Sequence, residues 1–376
     1  MTSGALVIYF ELLAQNRPFV EISAEYQRVI EKRRRETNES INCHDFLLQF
    51  NEKLESTVLL IDPTILKFIG TGKCYEAMRY KDRIKVALIG TLKDMRSIDS
   101  KTFEPFQMTD GASKDYFEIL ADGKRIIPKH FEIVRFGELL VPSKPWRFRQ
   151  FWKRSKFIDC LNLPMNRKGK QENVIDPIEA SIHLSKLRNQ LVDYEMFPFI
   201  SEGTLLGWYR ECSLIPHTND LDMNVFANDY NPRFMEDMEK GKLEFLLARR
   251  LGKLEDSLEL TVFGNGEFKF GTDIFMMYNS KNENGTDYSW IGSLCGDGER
   301  VRFNFPAHRN FCSADLHGHL VWVTCSPELM LKHEFGDEWR EDLPSKQYIW
   351  HKSIKNVERV GKYSRWQMRR MRYLRG

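Results

Sequence analysis

A mixed fold is what the sequence predicts, α+β or α/β in class. A smaller α/β domain is expected over residues 1–165, and a larger domain over 170–376 whose mixed sheet is flanked by helices. Three observations predict it. Strand-length apolar runs alternate with stretches of helical period, as in layered α/β architectures. A basic, aromatic and irregular stretch, residues 143–173, interrupts the series, and a junction is placed near 165–173. Residues 220–226, Asp-Leu-Asp-Met-Asn-Val-Phe, alternate polar and apolar side chains as a half-buried strand does.

The composition narrows the class. Hydrophobic residues at 42% and charged residues at 29% are those of a globular protein that buries a core. A net charge of +3 is too small to imply a nucleic-acid partner, and none is expected. No stretch approaches the ~18 apolar residues of a membrane span. The N-terminal run Ala5–Phe10 stops at Glu11 and lacks a basic flank and a cleavage site, so a soluble chain without signal peptide or anchor is expected. The seven cysteines fit no zinc or thioredoxin spacing, and an odd number cannot all pair within the chain. Asn38-Glu-Ser and Asn284-Gly-Thr are triplets of the N-glycosylation type.

In chain order, residues 20–57 read as polar helix, with a solvated basic face at Lys32–Arg35. Strands are expected at Thr57–Asp62, Ile84–Gly90, Arg125–Pro128 and Phe131–Arg135. Asp176-Pro-Ile-Glu179 supplies an N-cap, a proline at the first helical position and an acid in the first turn. Ala180, Leu184, Leu187 and Leu191 then carry that helix's buried stripe. A short strand at Phe197–Ile200 leads through Gly203-Thr204 into a short helix, Leu205–Glu211. Residues 231–250 read as helix, 258–263 and 272–278 as strands, and Ser326-Pro327 to Gly336 as a capped helix in which Phe335 and Trp339 pack.

If 220–226 is a strand, Asp220, Asp222 and Asn224 share one face while Leu221, Met223 and Val225 enter the core. Two carboxylates that close repel each other unless a cation lies between them, and their oxygens suit a hard divalent ion. Asp273, the one acid of the later strand, joins them if the two strands are neighbours. The blander reading has Asp220 ending the strand and Asp222 paired to an arginine. The Gly203-Thr204 step at a helix start suits phosphate. Arg210 could bind two phosphate oxygens or form an ion pair with Glu211 or Asp220. Trp208 could stack on a base or lie in the core, and His217 belongs to a turn.

A Gly-Thr helix start, an Asp-x-Asp strand and a later single acid resemble the order of DNA polymerase beta-like nucleotidyltransferases, which usually carry Gly-Ser. The whole run Gly203 to Asp222 resembles the signature of fukutin and its relatives, with their LicD-type domain. Phe335-Gly-Asp-Glu-Trp339 is similar to that family's Tyr-Gly-x-x-Trp segment, with phenylalanine for tyrosine. The resemblance is specific across 176–345 and looser upstream, at Val58–Pro63 and 143–160. It implies a nucleotidyltransferase-like fold and a metal-dependent enzyme moving ribitol 5-phosphate, or another phospho-alcohol, from a CDP-alcohol such as CDP-ribitol to a glycoprotein glycan with release of CMP. Implied with it are Asp220, Asp222 and Asp273 as catalytic and metal residues for Mg²⁺ or Mn²⁺, with Asp273 as general base. Gly203, Thr204 and Arg210 would hold donor phosphate, and Trp208 would stack on the nucleotide. The Golgi or ER lumen is the implied compartment, although the family's N-terminal membrane helix has no counterpart here. The first domain would bind acceptor or mediate assembly with a second copy or related transferases. Two other functions stay open: nucleotidyl transfer with pyrophosphate release, and a catalytically weak scaffold for other glycosyltransferases.

Overall fold

The computed structural model describes residues 43–77, 80, 82–89, 98–167, 173–264, 270–343 and 354–374. Outside them lie Ala5–Phe10, Lys32–Arg35, Asn38, the expected helix before residue 43, junction residues 168–172, and Arg375. The chain divides into two compact units between Phe157 and Ile158.

The first unit is built on a seven-stranded mixed sheet. An interior strand, β1, Val58–Leu60, is apolar at every position and buried throughout, so helices or strands must cover both of its faces. It runs antiparallel to β2, Ile84–Ile89, and parallel to a strand at Leu139–Pro142. Chain reversal after β1 is local chemistry. Asp62 accepts hydrogen bonds from the amides of Thr64 (2.9 Å) and Ile65 (3.0 Å), capping the helix Pro63–Gly70. The Cys43–Asn51 helix is joined to the Cys74–Ala77 turn by the Cys43–Cys74 disulfide.

The second unit carries a nine-stranded mixed sheet and a separate two-stranded hairpin, Phe311–Leu316 with His319–Thr324, clipped by Cys312–Cys325. A long helix, α1 here (Pro177–Asp193), starts on Asp176, whose carboxylate accepts from the amides of Ile178 and Glu179, and buries Leu184, Leu187 and Leu191. A two-residue strand, Phe199–Ile200, leads to α2, Glu202–Glu211, and then to β3, Asp220–Phe226. Helix α3, Pro232–Glu239, precedes β4, Phe245–Leu251. Strands β5, Glu259–Gly264, and β6, Gly271–Lys281, follow. Helix α4, Pro327–Phe335, begins after Ser326 and ends at Gly336, and Trp339 is buried in the core beside it.

One expected element is corrected. Residues 231–250 are not one helix: α3 stops at Glu239, and Gly241, with φ 67°, turns the chain into β4. Leu-rich residues at 245–251 satisfy a helical pattern as easily as a strand. Antiparallel pairing with β5 from Phe245↔Gly264 to Leu251↔Glu259 decides the matter.

The core joins the sheet to α1 and α2 through Leu184, Leu187, Leu205, Trp208, Leu221, Met223, Val225 and Ile274. Strand β6 positions the site. Its first half lies between β3 and β5, pairing parallel with one and antiparallel with the other.

Candidate active site

The alternation of β3 does what the sequence expects: Leu221, Met223 and Val225 are buried in the core, leaving Asp220, Asp222 and Asn224 on the opposite face. Parallel pairing with β6 sets Asp273 directly beside Asp222, and Gly271 beside Asp220. On its far side Asp273 pairs with Thr261 of β5, and Thr261 in turn with Arg249 of β4. One polar row thus crosses four strands. Thr261 Oγ1 donates to Asp273 Oδ1. Arg249 Nη2 donates to both Asp273 oxygens (3.3 and 3.4 Å) and to Glu259 Oε1, and its Nε to Thr261 Oγ1 at 2.9 Å.

Helix α2 clamps Asp222 from the other direction. The Asp222 amide donates to Thr204 Oγ1 at 2.8 Å, and the Ser201 amide to the Asp222 carbonyl at 3.3 Å. A β-carbon on Gly203 would stand 3.4 Å from Asp222 Oδ2, so the start of the helix lies against the carboxylate. Just ahead of it Glu202 adopts a left-handed backbone, φ 44°. Gly207 is required one turn on, because a β-carbon there would meet the Ile215 amide nitrogen at 2.8 Å.

Six carboxyl groups gather here: the three that the sequence suggested, Glu202 and Glu334 beside them, and the flanking Glu259. Burial raises Asp222 well above its ordinary value, and the negative charges of Glu202, Asp220 and Asp273 add to it. Burial does the same to Glu202, reinforced by Glu334. Glu334, on α4, is pushed up to about 8 by burial and by Asp222. Asp273 is raised by burial, against the opposing pull of Thr261 and Arg249. Glu259 rises to about 7 through burial, with Arg249 pulling against it. Repulsion of this kind is relieved by a bound cation.

The all-oxygen donors Asp220 and Asp222 fit a hard divalent ion. Asp273 fits as a third donor once it yields its contacts to Arg249. The triad is open: among the described residues, the only three such groups with ligand atoms all within 4.8 Å of one another are Cys295, Asp297 and Glu299. In that second cluster the carboxylates are already answered, Asp297 by Lys362 at 2.5 Å and Glu299 by Arg359.

Two expected ligand contacts are corrected. Trp208 is fully buried, its Nε1 donating to the Asp315 carbonyl at 2.9 Å, so it packs the core and no nucleotide can stack on it. Arg210 is buried and spends its guanidinium inside the protein, on Glu211 (2.6 Å), the Glu341 carbonyl (2.8 Å) and Asp342 (3.5 Å). Arg167 completes the network on Glu211 and Asp342. The ion-pair alternative describes Arg210, and phosphate has no access to it. Thr204 directs its hydroxyl to the strand rather than outward. His217 lies in the turn closed by the Thr218 amide on the Ile215 carbonyl. Glu202, Glu259 and Glu334 carried no pattern of their own in the sequence, except that Glu202 immediately precedes Gly203.

Comparison with known proteins agrees with this division of the chain. Residues 42–159 match the W02B3.4-like N-terminal domain, and residues 196–325 match the LicD/FKTN/FKRP nucleotidyltransferase domain. The uncharacterized protein W02B3.4 of Caenorhabditis elegans is 37% identical over 87% of this chain and 84% of its own length. T07A5.1 of the same organism is 38% identical over 81% of each. The ribitol-5-phosphate transferase FKTN of Mus musculus is 29% identical over 60% of this chain, which spans 48% of that protein.

Proposed function

Because this chain belongs to the W02B3.4-like proteins and carries the LicD/FKTN/FKRP nucleotidyltransferase domain, we propose that it is a metal-dependent transferase moving a phospho-alcohol from a CDP-alcohol to a glycan hydroxyl, with release of CMP. Family membership itself implies a phospho-sugar or phospho-alcohol transferase. The finer reading has ribitol 5-phosphate as the transferred group, by similarity to FKTN, and a glycoprotein of the Golgi or ER lumen as acceptor. Its main support is the in-register pairing of Asp222 with Asp273, with Asp220 one step along the same face.

Asp220 and Asp222 would hold Mg²⁺ or Mn²⁺, which when bound neutralises the diphosphate oxygens and stabilises the departing CMP. The remaining work falls to the chain. The amides of Gly203 and Thr204 at the start of α2 lie beside Asp222 and favour negative charge there. Asp273 takes the proton of the acceptor hydroxyl as the new O–P bond forms and the bond to CMP breaks. Its raised pKa makes it a stronger base than an exposed aspartate. Arg249 and Thr261 hold it in place until then.

The direct test incubates the full chain with CDP-ribitol, CDP-glycerol or CDP-choline, Mg²⁺ or Mn²⁺, and acceptor glycan. CMP formed only when acceptor is present supports transfer. Pyrophosphate as product from a nucleoside triphosphate would assign nucleotidyl transfer instead, and no turnover of any donor by folded protein would leave a scaffold. Asp222→Asn is expected to lower turnover by at least about a hundredfold without lowering the melting temperature; retained turnover removes Asp222 from the metal site.

A further inference from the structure

The gathered carboxyl groups call for positive charge, and among the described residues one basic side chain, Arg249, is ion-paired to them. It reaches them from a distance. Arg249 pairs with Thr261 and Thr261 with Asp273, so the α-carbons of Arg249 and Asp273 are two strand spacings apart, ~10 Å. The arginine side chain therefore runs along the sheet and sets its head between Asp273 and Glu259. That side chain is 35% exposed, against 2% for Arg210 and 9% for Arg167. A ligand can meet this guanidinium, whereas the other two are enclosed.

The attachments of Arg249 differ in strength. Its Nε donates to Thr261 Oγ1 at 2.9 Å, and its Nη2 donates to Glu259 Oε1. Glu259 is itself steadied by Ser293, whose Oγ donates to Oε2 at 3.3 Å. The bond to Asp273 is the loose one. Nη2 meets the two Asp273 oxygens at 3.3 and 3.4 Å, where a charge-assisted pair usually closes to about 2.7–2.9 Å. Nη1 has no hydrogen-bond partner among the described residues, so two donors of the fork are unspent. A head anchored on Thr261 and Glu259 but loosely paired to Asp273 can change partners without leaving its place. Open guanidinium donors match the oxygens of a phosphate. A divalent ion entering beside Asp273 would also repel the arginine from that carboxylate.

We propose that Arg249 is an exchangeable counterion: in the empty site it neutralises Asp273, and on loading it passes to the diphosphate of the donor. The inference rests on the reading of the acidic centre as a metal-dependent CDP-alcohol site. It supplies that site with the phosphate-binding cation that the enclosed Arg210 cannot be. It also sets an order of events, because Asp273 is released to take the acceptor proton only once the donor has drawn the arginine away.

Calorimetric titration of the full chain with Mn²⁺ alone, and with CDP at saturating Mn²⁺, tests it. Arg249→Gln is expected to bind Mn²⁺ at least about threefold tighter, because a positive charge beside the ion is gone. The same variant should bind CDP at least about tenfold more weakly, the size of a lost charge-assisted hydrogen bond. A residue that merely braces Asp273 would lower both affinities when removed. Only the opposed pair of changes supports the proposal; both affinities falling, both unchanged, or one changed alone overturns it. Should the glutamine variant not fold, Arg249→Lys decides the question, since lysine keeps the charge but lacks the fork. It should bind Mn²⁺ as wild type does and CDP at least about threefold more weakly; CDP bound as by wild type overturns the proposal. If wild-type protein binds CDP and the variants do not behave in this way, only the role of Arg249 falls. If wild-type protein binds no CDP in Mn²⁺, the transferase reading falls with it.

Discussion

Asp222 is where the residue-scale forces meet. Its amide and carbonyl are tied to Thr204 and Ser201, while its carboxyl stands among like charges that burial keeps from being screened. The same crowding raises Glu334 on α4 to about 8 from an ordinary 4.5, and Glu259 to about 7. Between the unfolded and folded values the folded protein holds more protons than the unfolded chain. Stability without metal therefore falls as pH rises through that window, and is fully present below it. Glu334→Gln removes one such group. The variant should melt with wild type near pH 4.5 and several degrees above it near pH 8 in metal-free buffer. Parallel melting curves across that range would contradict the placement of Glu334 beside Asp222.

At the scale of elements, α2 is held at both ends by different means. Its first residues lie on β3, and its last turn is anchored by Arg210, with Cys212 in a left-handed cap joined to Cys160. Arg210 reads as a phosphate ligand in sequence because a basic residue on a helix after Gly-Thr is the common carrier of that role. Its burial reverses the assignment. Removing Arg210 leaves Glu211 and Asp342 to Arg167 alone and takes the donor from the Glu341 carbonyl, at a cost of about 3–5 kcal/mol for breaking a buried ion network. Arg210→Ala should accordingly lower the urea midpoint strongly, with CDP affinity unchanged under conditions where the variant remains folded. A selective loss of CDP affinity without destabilisation would restore the phosphate role. Strand β6 is the other organising element. An in-register neighbour on each side aligns Asp222, Asp273 and Thr261 across the sheet, so this polar row inherits the rigidity of the ladder.

For the whole molecule, the cysteines decide what composition left open. Three disulfides are formed, Cys43–Cys74, Cys160–Cys212 and Cys312–Cys325, with Cys295 the free thiol among the described residues. Such pairing belongs to oxidising compartments, and the protein is assigned to the secretory pathway on that ground. No described helix is long and apolar enough to cross a membrane. The disulfides close intervals of 13, 31 and 52 residues, worth about 3–4 kcal/mol each in a chain-entropy account. Reductant should thus lower the melting temperature by many degrees, and an unchanged melting curve would argue that the thiols are unpaired. Asn284 sits on an exposed turn after β6, with Thr286 two residues on. Protein secreted from eukaryotic cells should carry a glycan there, seen as a mobility shift that Asn284→Gln abolishes. No shift difference between the two would exclude that acceptor.

Much of the site was legible in the sequence because it depends on short-range periodicity. Alternation alone puts Asp220 and Asp222 on one face, and the Asp176-Pro and Ser326-Pro caps announce their helices without reference to anything distant. The amino-acid order by itself also settles the family. What it leaves undetermined is every matter of who lies beside whom. Residues 245–251 take a strand because β5 is there to pair with them. Trp208 and Arg210 are withdrawn from ligand because the segment after α4 and the Asp315 carbonyl reach them first. Glu202, Glu259 and Glu334 become part of the acidic centre only when helix and sheet bring distant positions together. Local propensity acts over a turn or a strand, whereas burial and charge coupling are properties of the packed chain, and only the tertiary structure decides them.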